Sequence, residues 1–154
     1  MVNKAQTYES TICYIAELLK VDSLASGVLC NVAAALHEAM PHYFWVGFYL
    51  VKGERLELGP FQGPPACFAI KKGRGVCGTA WAEARTIIVA DVDQFPGHIA
   101  CSSRSKSEIV VPIMRKGEVI GVIDVDSEHL NAFNACDQKH LERIAGLLSS
   151  TNLI

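Results

Sequence analysis

Residues 108–126 read EIVVPIMRKGEVIGVIDVD, and this stretch decides the fold. Two runs rich in β-branched residues, IVVPIM and VIGVIDVD, flank the turn sequence RKGE, which is the pattern of a β-hairpin. A two-residue loop of type I′ would require positive φ at Lys116, which is unfavourable for lysine. A three-residue loop with Gly117 as the left-handed residue avoids that strain, so we expect the three-residue loop.

The register of this hairpin decides whether three acids meet. With the three-residue loop, Met114 faces Glu118 and Glu108 lies opposite Asp124, while Asp126 points to the same face two residues further on. A two-residue loop would move Glu108 to the other face. The expected patch of three carboxylates therefore depends on the turn.

Solvent exposure explains two of these acids poorly, because Asp124 and Asp126 interrupt the strongly apolar strand VIGVIDV. Crowded carboxylates repel one another unless they bind a cation or share protons. Such a patch suits a metal ion or the ammonium group of a ligand. One protonated member could also act as a general acid of raised pKa.

The rest of the chain predicts helices around a set of antiparallel strands. Apolar spacing predicts two helices in the first forty positions, the second capped by Asp22 or Ser23 and ended by Pro41. YFWVGFYLV and RLELGPFQ form a hairpin around VKGE, and short strands are expected around Cys67–Ile70 and in TIIVADV. GVCGTAWAEA is typical of a short helix, and CDQKHLERIAGLLSS of an amphipathic helix begun by Asp137.

Hairpins, and not regular helical crossovers, join the neighbouring strands. We therefore expect an α+β domain built on an antiparallel β-sheet, flanked by the N-terminal helices and a C-terminal helix. The length of 154 residues fits one domain. Within it, the helices occupy about residues 1–40, the sheet and active-site loops residues 41–133, and the last helix residues 134–154.

Composition argues against several kinds of partner. Only 19% of the residues are charged and the net charge is −2, so there is no basic field for nucleic acid and no polybasic face for a membrane. The longest apolar stretch, Tyr43–Val51, has nine residues, against the roughly 20 that a membrane helix needs. The N-terminal sequence MVNKAQTYES lacks the apolar core of a signal peptide, so a cytoplasmic protein with reduced cysteines is expected.

A polar loop carries the most suggestive cysteine. FPGHIACSSRSKSE, residues 95–108, is rich in turn formers and sets Cys101 among hydroxyls and the positive charges of Arg104 and Lys106. That environment suits a reactive thiol, although a small apolar filler is the commoner role of an intracellular cysteine. Cys67 and Cys77 lie in glycine-rich contexts. Three such thiols suggest a nucleophile with resolving partners, in which a sulfenic acid condenses to a disulfide.

Two further patterns have ordinary alternatives. Trp45 and Tyr49 are four apart in a predicted strand, so they share a face, where they either pack in the core or line a site. The three loop cysteines and His98 contain no C-x-x-C pair and lack the paired spacing of structural zinc sites. Neither a metal nor a cofactor is therefore expected.

Four stretches carry a resemblance to a known family: GPFQGPPAC (59–67), GRGVCGTAW (73–81), DVxxFPGHIACSSxSxSEIVVPI (91–113) and GxVIGVxDVDS (117–127). Together they resemble the free methionine-(R)-sulfoxide reductase family, which is built on a single GAF domain. The match runs from about Trp45 to the last helix. GAF domains in general lack these three cysteines and the DVDS end.

The resemblance implies a thiol mechanism. Cys101 would attack the sulfoxide sulfur, release methionine and become a sulfenic acid. Cys67 would resolve it as a disulfide, with Cys77 as an additional recycling thiol. Thioredoxin would regenerate the dithiol, and the domain would form a homodimer.

The resemblance also implies the substrate contacts. The acids Glu108, Asp124 and Asp126 would hold the substrate's ammonium group and help to protonate the sulfoxide oxygen. Carboxylates poised for an α-ammonium would explain a preference for the free amino acid, because peptide-bound methionine presents a neutral amide there.

The remaining contacts implied by the resemblance are apolar walls and backbone amides. Trp45 and Tyr49 would wall the methyl-sulfinyl end, and the amides around Ile99, Ala100 and Cys101 would contact polar groups of the substrate. The alternative hypothesis is a non-catalytic GAF domain that binds a small ligand or senses oxidation through its thiols. The absence of an output domain in these 154 residues speaks against it.

Overall fold

Residues 3–154 are described by a computed structural model, and within them four α-helices surround six β-strands. The elements are α1 (Lys4–Leu18), α2 (Ala25–Ala39), β1 (Trp45–Lys52), β2 (Arg55–Gln62), β3 (Ala69–Lys71), α3 (Gly75–Glu83), β4 (Ile87–Val89), β5 (Ser107–Arg115), β6 (Glu118–Ser127) and α4 (Ala135–Ser149). In this part of the chain, no helix combines the length and the apolar character needed to cross a membrane.

The six strands form one sheet in the order β3-β2-β1-β6-β5-β4, and every neighbouring pair is antiparallel. Helices α1 and α2 precede the sheet and α4 follows it, so the predicted α+β class and element order are confirmed. The strand order places β1 and β6 at the centre, and these two strands carry Trp45, Tyr49, Asp124 and Asp126.

The two faces of the sheet bury different cores. Phe48 and Ile123 face the first core, which is completed by α1, α2 and α4, for example by Leu36. Tyr49 and Val122 face the second core, to which α3 contributes. Because successive side chains of a strand alternate between faces, the three acids of β5 and β6 lie on the second face, beside α3.

The helix caps differ from those predicted. α2 begins after Leu24, which makes no side-chain cap hydrogen bond, so the cap predicted at Asp22 or Ser23 is wrong. α4 is capped by Asn134, and Asp137 is the third helical residue, with its carboxylate accepting the Asn134 N–H at 2.8 Å. This reciprocal capping box, and not an Asp137 cap, starts the helix.

The β5–β6 turn is also not the one predicted. Lys116 and Gly117 form a two-residue loop, with φ of 50° and 80°, and Arg115 pairs with Glu118. Lys116 therefore adopts the positive φ that was expected to be unfavourable for lysine. The type I′ geometry matches the right-handed twist of the two strands, whereas type I and type II turns would splay them.

A bulge beside the turn restores the expected face. Met114 pairs with Val119, but Ile113 pairs with Gly121, so one residue of β6 is extra at this point. Beyond the bulge, Glu108 pairs with Asp126 and not with Asp124, which corrects the predicted register by two residues. Since side chains alternate with a period of two, all three acids still share one face, as predicted.

Candidate active site

A cavity opens on the second face of the sheet, between the loop after β2, the N-terminal end of α3 and the loop before β5. Its empty volume is about 580 Å³ including the open mouth. Its lining includes Phe44, Trp45, Tyr49, Arg74, Cys77, His98, Ile99, Cys101, Ser105, Glu108, Asp124 and Asp126. Most of the predicted site residues thus meet around one space.

The three acids form the polar part of the cavity. Glu108 and Asp124 are buried, with 5% and 6% of their surface exposed. The Ser105 hydroxyl donates to Asp126 Oδ1 at 2.5 Å, and His98 Nε2 lies 3.4 Å from Glu108 Oε2. Asp124 Oδ1 is buried and finds no hydrogen-bond partner among residues 3–154. The group therefore has unused capacity for a hydrogen-bond donor or a cation.

Burial holds the pKa of each acid well above its ordinary value. Desolvation is the largest cause in all three, and like charge adds to it: Asp126 acts on Glu108, Glu108 on Asp124, and Asp124 on Asp126. A low-dielectric site penalises the ionised form, and a second carboxylate penalises it further. The site is therefore built to keep protons or to receive a positive group.

Cys67 and Cys101 are joined by a disulfide, with their Cα atoms 5.9 Å apart. The strand predicted around Cys67–Ile70 begins only at Ala69, so Cys67 lies in the loop before it. Cys101 is exposed and Cys67 is half-buried. The bond therefore links two loops on opposite sides of the cavity, at a position that a second protein can reach.

Cys77 lies apart from this pair, on the helix α3. It is 3% exposed, and one donor atom each of Cys77, Glu108 and Asp124 lies within 4.8 Å of the other two. Burial, and then the nearby Asp124 carboxylate, raises the pKa of the Cys77 thiol well above its ordinary value. As it stands, Cys77 is a protonated and shielded thiol that touches the acidic group.

Aromatic rings form the apolar wall. The rings of Trp45 and Tyr49 are 6.0 Å apart and inclined by 24°, and Phe61 stacks on Trp45 at 5.2 Å. The Trp45 indole N–H donates to the Pro64 carbonyl at 3.1 Å, and the Tyr49 hydroxyl donates to the Cys67 carbonyl at 2.9 Å. The wall is therefore tied to the loop that carries Cys67.

Two groups in the polar loop before β5 make contacts other than those predicted. Arg104, expected beside the Cys101 thiol, lies over the Phe44 ring at 4.5 Å and pairs with Glu128 at 2.5 Å. The Cys101 N–H, a predicted substrate contact, donates to the Ile99 carbonyl at 3.1 Å. Ile99 lines the cavity, whereas its neighbour Ala100 is not part of the lining.

Several lining residues were not predicted. His98 and Ser105 flank Cys101 in the polar loop, and each contacts one of the acids. Their proximity to Cys101 in sequence was the available signal. Phe44 lies one residue before Trp45, and Arg74 lies at the start of α3 within the stretch GRGVCGTAW, but neither residue was assigned a role from the sequence.

An antiparallel six-stranded sheet with α1, α2 and α4 on one face, and α3 and a loop-lined cavity on the other, is the arrangement of a GAF domain. The family model described as the GAF domain matches residues 26–151. GAF domain-containing protein A of Dictyostelium discoideum is 54% identical over 149 residues, which cover 96% of this chain and 94% of that protein.

Two further relatives indicate which group of GAF domains this chain is similar to. Free methionine-R-sulfoxide reductase of Escherichia coli K12 is 40% identical over 147 residues, covering 96% of this chain and 89% of that protein. The X-ray structure of free methionine-R-sulfoxide reductase from Neisseria meningitidis in complex with its substrate is 48% identical. It superposes with a TM-score of 0.93, covering 97% of this chain and 90% of that one. The chain belongs to the free methionine-R-sulfoxide reductase family of GAF domains.

Proposed function

We propose that this protein reduces free L-methionine (R)-sulfoxide with its own thiols and is then reduced by a dithiol protein. The observation that carries the proposal is the Cys67–Cys101 disulfide beside a cavity lined by three acids, two of them buried. The bond is the product that a thiol reductase forms when it gives up two electrons. The relatives named as reductases support the same reaction.

The first step uses Cys101 in its reduced form. Its sulfur attacks the sulfoxide sulfur, and the sulfoxide oxygen, with protons supplied, passes to the cysteine. The products are methionine and a sulfenic acid on Cys101, so the substrate gains the two electrons that the thiol loses. Cys101 is suited to this role because it is exposed, lines the cavity and lies in a polar loop.

The second step closes the disulfide. The Cys67 thiol attacks the sulfenic sulfur, the S–S bond forms and water leaves. Cys67 is favoured over Cys77 as the resolving thiol because it is already within bonding distance of Cys101. Cys77 is buried, and its raised pKa keeps it protonated and poorly nucleophilic.

The acids serve binding and proton supply. An α-ammonium placed between Asp124 and Asp126 offsets the repulsion of the carboxylates and gives the unpaired Asp124 Oδ1 a donor. A neighbour that stays protonated, such as Glu108, donates to the sulfoxide oxygen as it leaves sulfur. A neutral peptide nitrogen would leave these buried groups unpaired, which explains selectivity for the free amino acid.

The aromatic wall positions the other end of the substrate. Trp45 and Tyr49 present stacked rings on the cavity face, next to the loop of Cys67. An apolar wall suits the methyl and methylene groups that flank the sulfur. Together with the acids, it holds the sulfur beside Cys101, and the amides around Ile99 and Ala100 are assigned to the substrate's remaining polar groups.

Thioredoxin is the proposed reductant, and a homodimer in the cytoplasm is the proposed assembly. The exposed Cys101 sulfur suits attack by a protein dithiol. Exposed apolar side chains of the α1–α2 region offer a surface for a second copy: Tyr14, Val21 and Leu24 are 58%, 56% and 77% exposed. Four further cysteines remain unpaired, which suits a reducing compartment.

The test is turnover of the two sulfoxide epimers, free and peptide-bound, with dithiothreitol or thioredoxin as reductant. Cys101→Ser should abolish reduction of the free R epimer while the fold survives, and Cys136→Ser, the matched control, should retain it. Full activity in Cys101→Ser would end the proposal. If the wild type binds a ligand but reduces neither epimer, the non-catalytic sensor hypothesis holds instead.

A further inference from the structure

Cys77, Glu108 and Asp124 together have the chemistry of a metal site. Their donor atoms lie within 4.8 Å of one another, and the residues are 3%, 5% and 6% exposed. They come from α3, β5 and β6, so the packing of a helix on the sheet holds them in place. Such a group is fixed before any ligand arrives.

A second observation concerns the hydrogen bonding of Asp124. Asp124 Oδ1 is buried and has no hydrogen-bond partner within residues 3–154. Over the same residues, the ion-pair contact of the group is His98 Nε2 to Glu108 Oε2, at 3.4 Å. A buried polar atom without a partner requires an explanation, and a bound ion is one that fits an oxygen beside a thiol and a second carboxylate.

The donor set selects among cations. Calcium and magnesium prefer sites made of oxygen ligands, and calcium takes six to eight of them, so a thiol argues against both. Zinc accepts cysteine sulfur and carboxylate oxygen together, in a four-coordinate geometry. Three protein ligands leave the fourth position to water.

The spacing is compatible with zinc after a small adjustment. Bonds of about 2.3 Å to sulfur and about 2.1 Å to oxygen place tetrahedral ligand atoms roughly 3.5 Å apart. The three donor atoms, which lie up to 4.8 Å apart, must therefore approach one another by about an ångström to bind zinc. Rotation about side-chain bonds allows this movement.

We propose that Cys77, Glu108 and Asp124 form a Zn²⁺ site whose occupancy excludes the substrate. Zinc replaces the thiol proton of Cys77 and any proton on the two carboxyls, and no electrons are transferred. Exclusion rests on the proposed function, which assigns Asp124 to the substrate's ammonium group and Glu108 to its sulfoxide oxygen. Cys77 is outside the disulfide, so the site persists in the oxidised protein.

Cobalt(II) is the probe, because a thiolate bound to Co²⁺ gives a charge-transfer absorption band. The disulfide form of the protein is titrated, since there Cys67 and Cys101 cannot act as ligands. The remaining free cysteines outside the cluster are replaced in a triple variant, Cys13→Ser, Cys30→Ser and Cys136→Ser. We expect one equivalent of Co²⁺ to produce the band in this background and Zn²⁺ to displace it.

Variants within the cluster decide the assignment. Cys77→Ser should abolish the band, and Asp124→Asn or Glu108→Gln should weaken Co²⁺ binding by about tenfold or more. Free methionine, which keeps the α-ammonium group, should weaken Co²⁺ binding to the parent. Circular dichroism checks that each variant folds, and the two carboxyl variants carry the test if Cys77→Ser does not.

Two results would overturn the site: no band in the parent, or a band that survives Cys77→Ser. Binding that methionine leaves unchanged would overturn the exclusion of the substrate. Turnover of chelator-treated protein is measured separately. Loss of the proposed function would appear there as no reduction of the sulfoxide without metal. Failure of the zinc site leaves that metal-free turnover intact.

Discussion

Glu108 and Asp126 stand directly opposite each other in the β5–β6 ladder, with Asp124 two residues along on the same face. Like charges in directly opposed positions destabilise a sheet. Here they are also buried, which raises their pKa further. The acids therefore cost folding stability, and binding a positive group recovers part of it.

Asp124→Asn should make the protein more stable at pH 8 while lowering its activity. The folded-state pKa of Asp124 lies well above its ordinary 3.8, so between these values the folded chain binds more protons than the unfolded chain. Wild-type stability then falls as pH rises above about 3.8 through the folded pKa. Asp124→Asn lacks this loss of stability because asparagine does not titrate.

Denaturant unfolding at a series of pH values measures the difference. The free energy of unfolding of Asp124→Asn should equal that of the wild type at about pH 3.5. Its excess over the wild type should grow with pH to on the order of 1 kcal/mol. The Michaelis constant for free methionine (R)-sulfoxide should rise at the same time. A stability difference that does not change with pH would contradict the assignment.

Cys67→Ser should limit the enzyme to a single turnover with thioredoxin. Without Cys67, the sulfenic acid on Cys101 waits for a thiol, and Cys77 is too buried and too firmly protonated to substitute. Rapid-quench assays should show one equivalent of methionine per chain, followed by a sulfenic acid that a trapping reagent labels. Steady turnover at the wild-type rate would show that another thiol resolves the intermediate.

Gly47→Ala should destabilise the protein and displace the aromatic wall. A Cβ at position 47 would lie 2.3 Å from the Phe61 Cβ and 2.8 Å from Trp45 Cη2. Overpacking of this kind costs about 1–3 kcal/mol, and a shifted Trp45 should raise the Michaelis constant. Thermal unfolding and kinetics measure the two effects.

Gly27→Ala is the matched control for this substitution. Gly27 lies in α2, where an added Cβ meets nothing within 4 Å. The same change there should stabilise the protein by about 0.5–1 kcal/mol and leave turnover unchanged. If both variants destabilise equally, the close contact at Gly47 is not the cause.

Lys116→Asn should stabilise the hairpin. Lys116 has a φ of 50°, a conformation that asparagine accepts more readily than lysine. We expect a gain of about 0.5–1 kcal/mol in denaturant unfolding, with unchanged turnover because the turn is not part of the cavity lining. Gly117→Ala, at a φ of 80°, should have the opposite effect.

The sequence was sufficient to predict the elements and the face on which the acids lie. Alternating apolar residues identify β5 and β6, and the strand period of two keeps Glu108, Asp124 and Asp126 together. The exact pairing was not predictable in this way. It depends on a bulge beside the turn. Gly121 lies next to the bulge, but a glycine within a strand indicates either a bulge or a close backbone approach, so it does not fix the register.

The position of Cys77 was also beyond the sequence. Its helix was predicted, but its contact with Glu108 and Asp124 arises from the way α3 packs on the sheet, between residues more than thirty positions apart. Helix periodicity indicates which side chains are buried, not which strand they meet. The pairing of Cys67 with Cys101 was expected from family resemblance, and spacing alone did not suggest it.

The bond between Cys67 and Cys101 spans 34 residues. A cross-link of that span lowers the conformational entropy of the unfolded chain, which stabilises the folded state by about 4 kcal/mol. The proposed cycle makes and breaks this bond at every turnover. The chain is therefore least resistant to heat and proteolysis when its thiols are free and it is ready to react. In the oxidised form the same chain is held by the cross-link, so it should withstand heat and proteolysis longer until a reductant opens the bond.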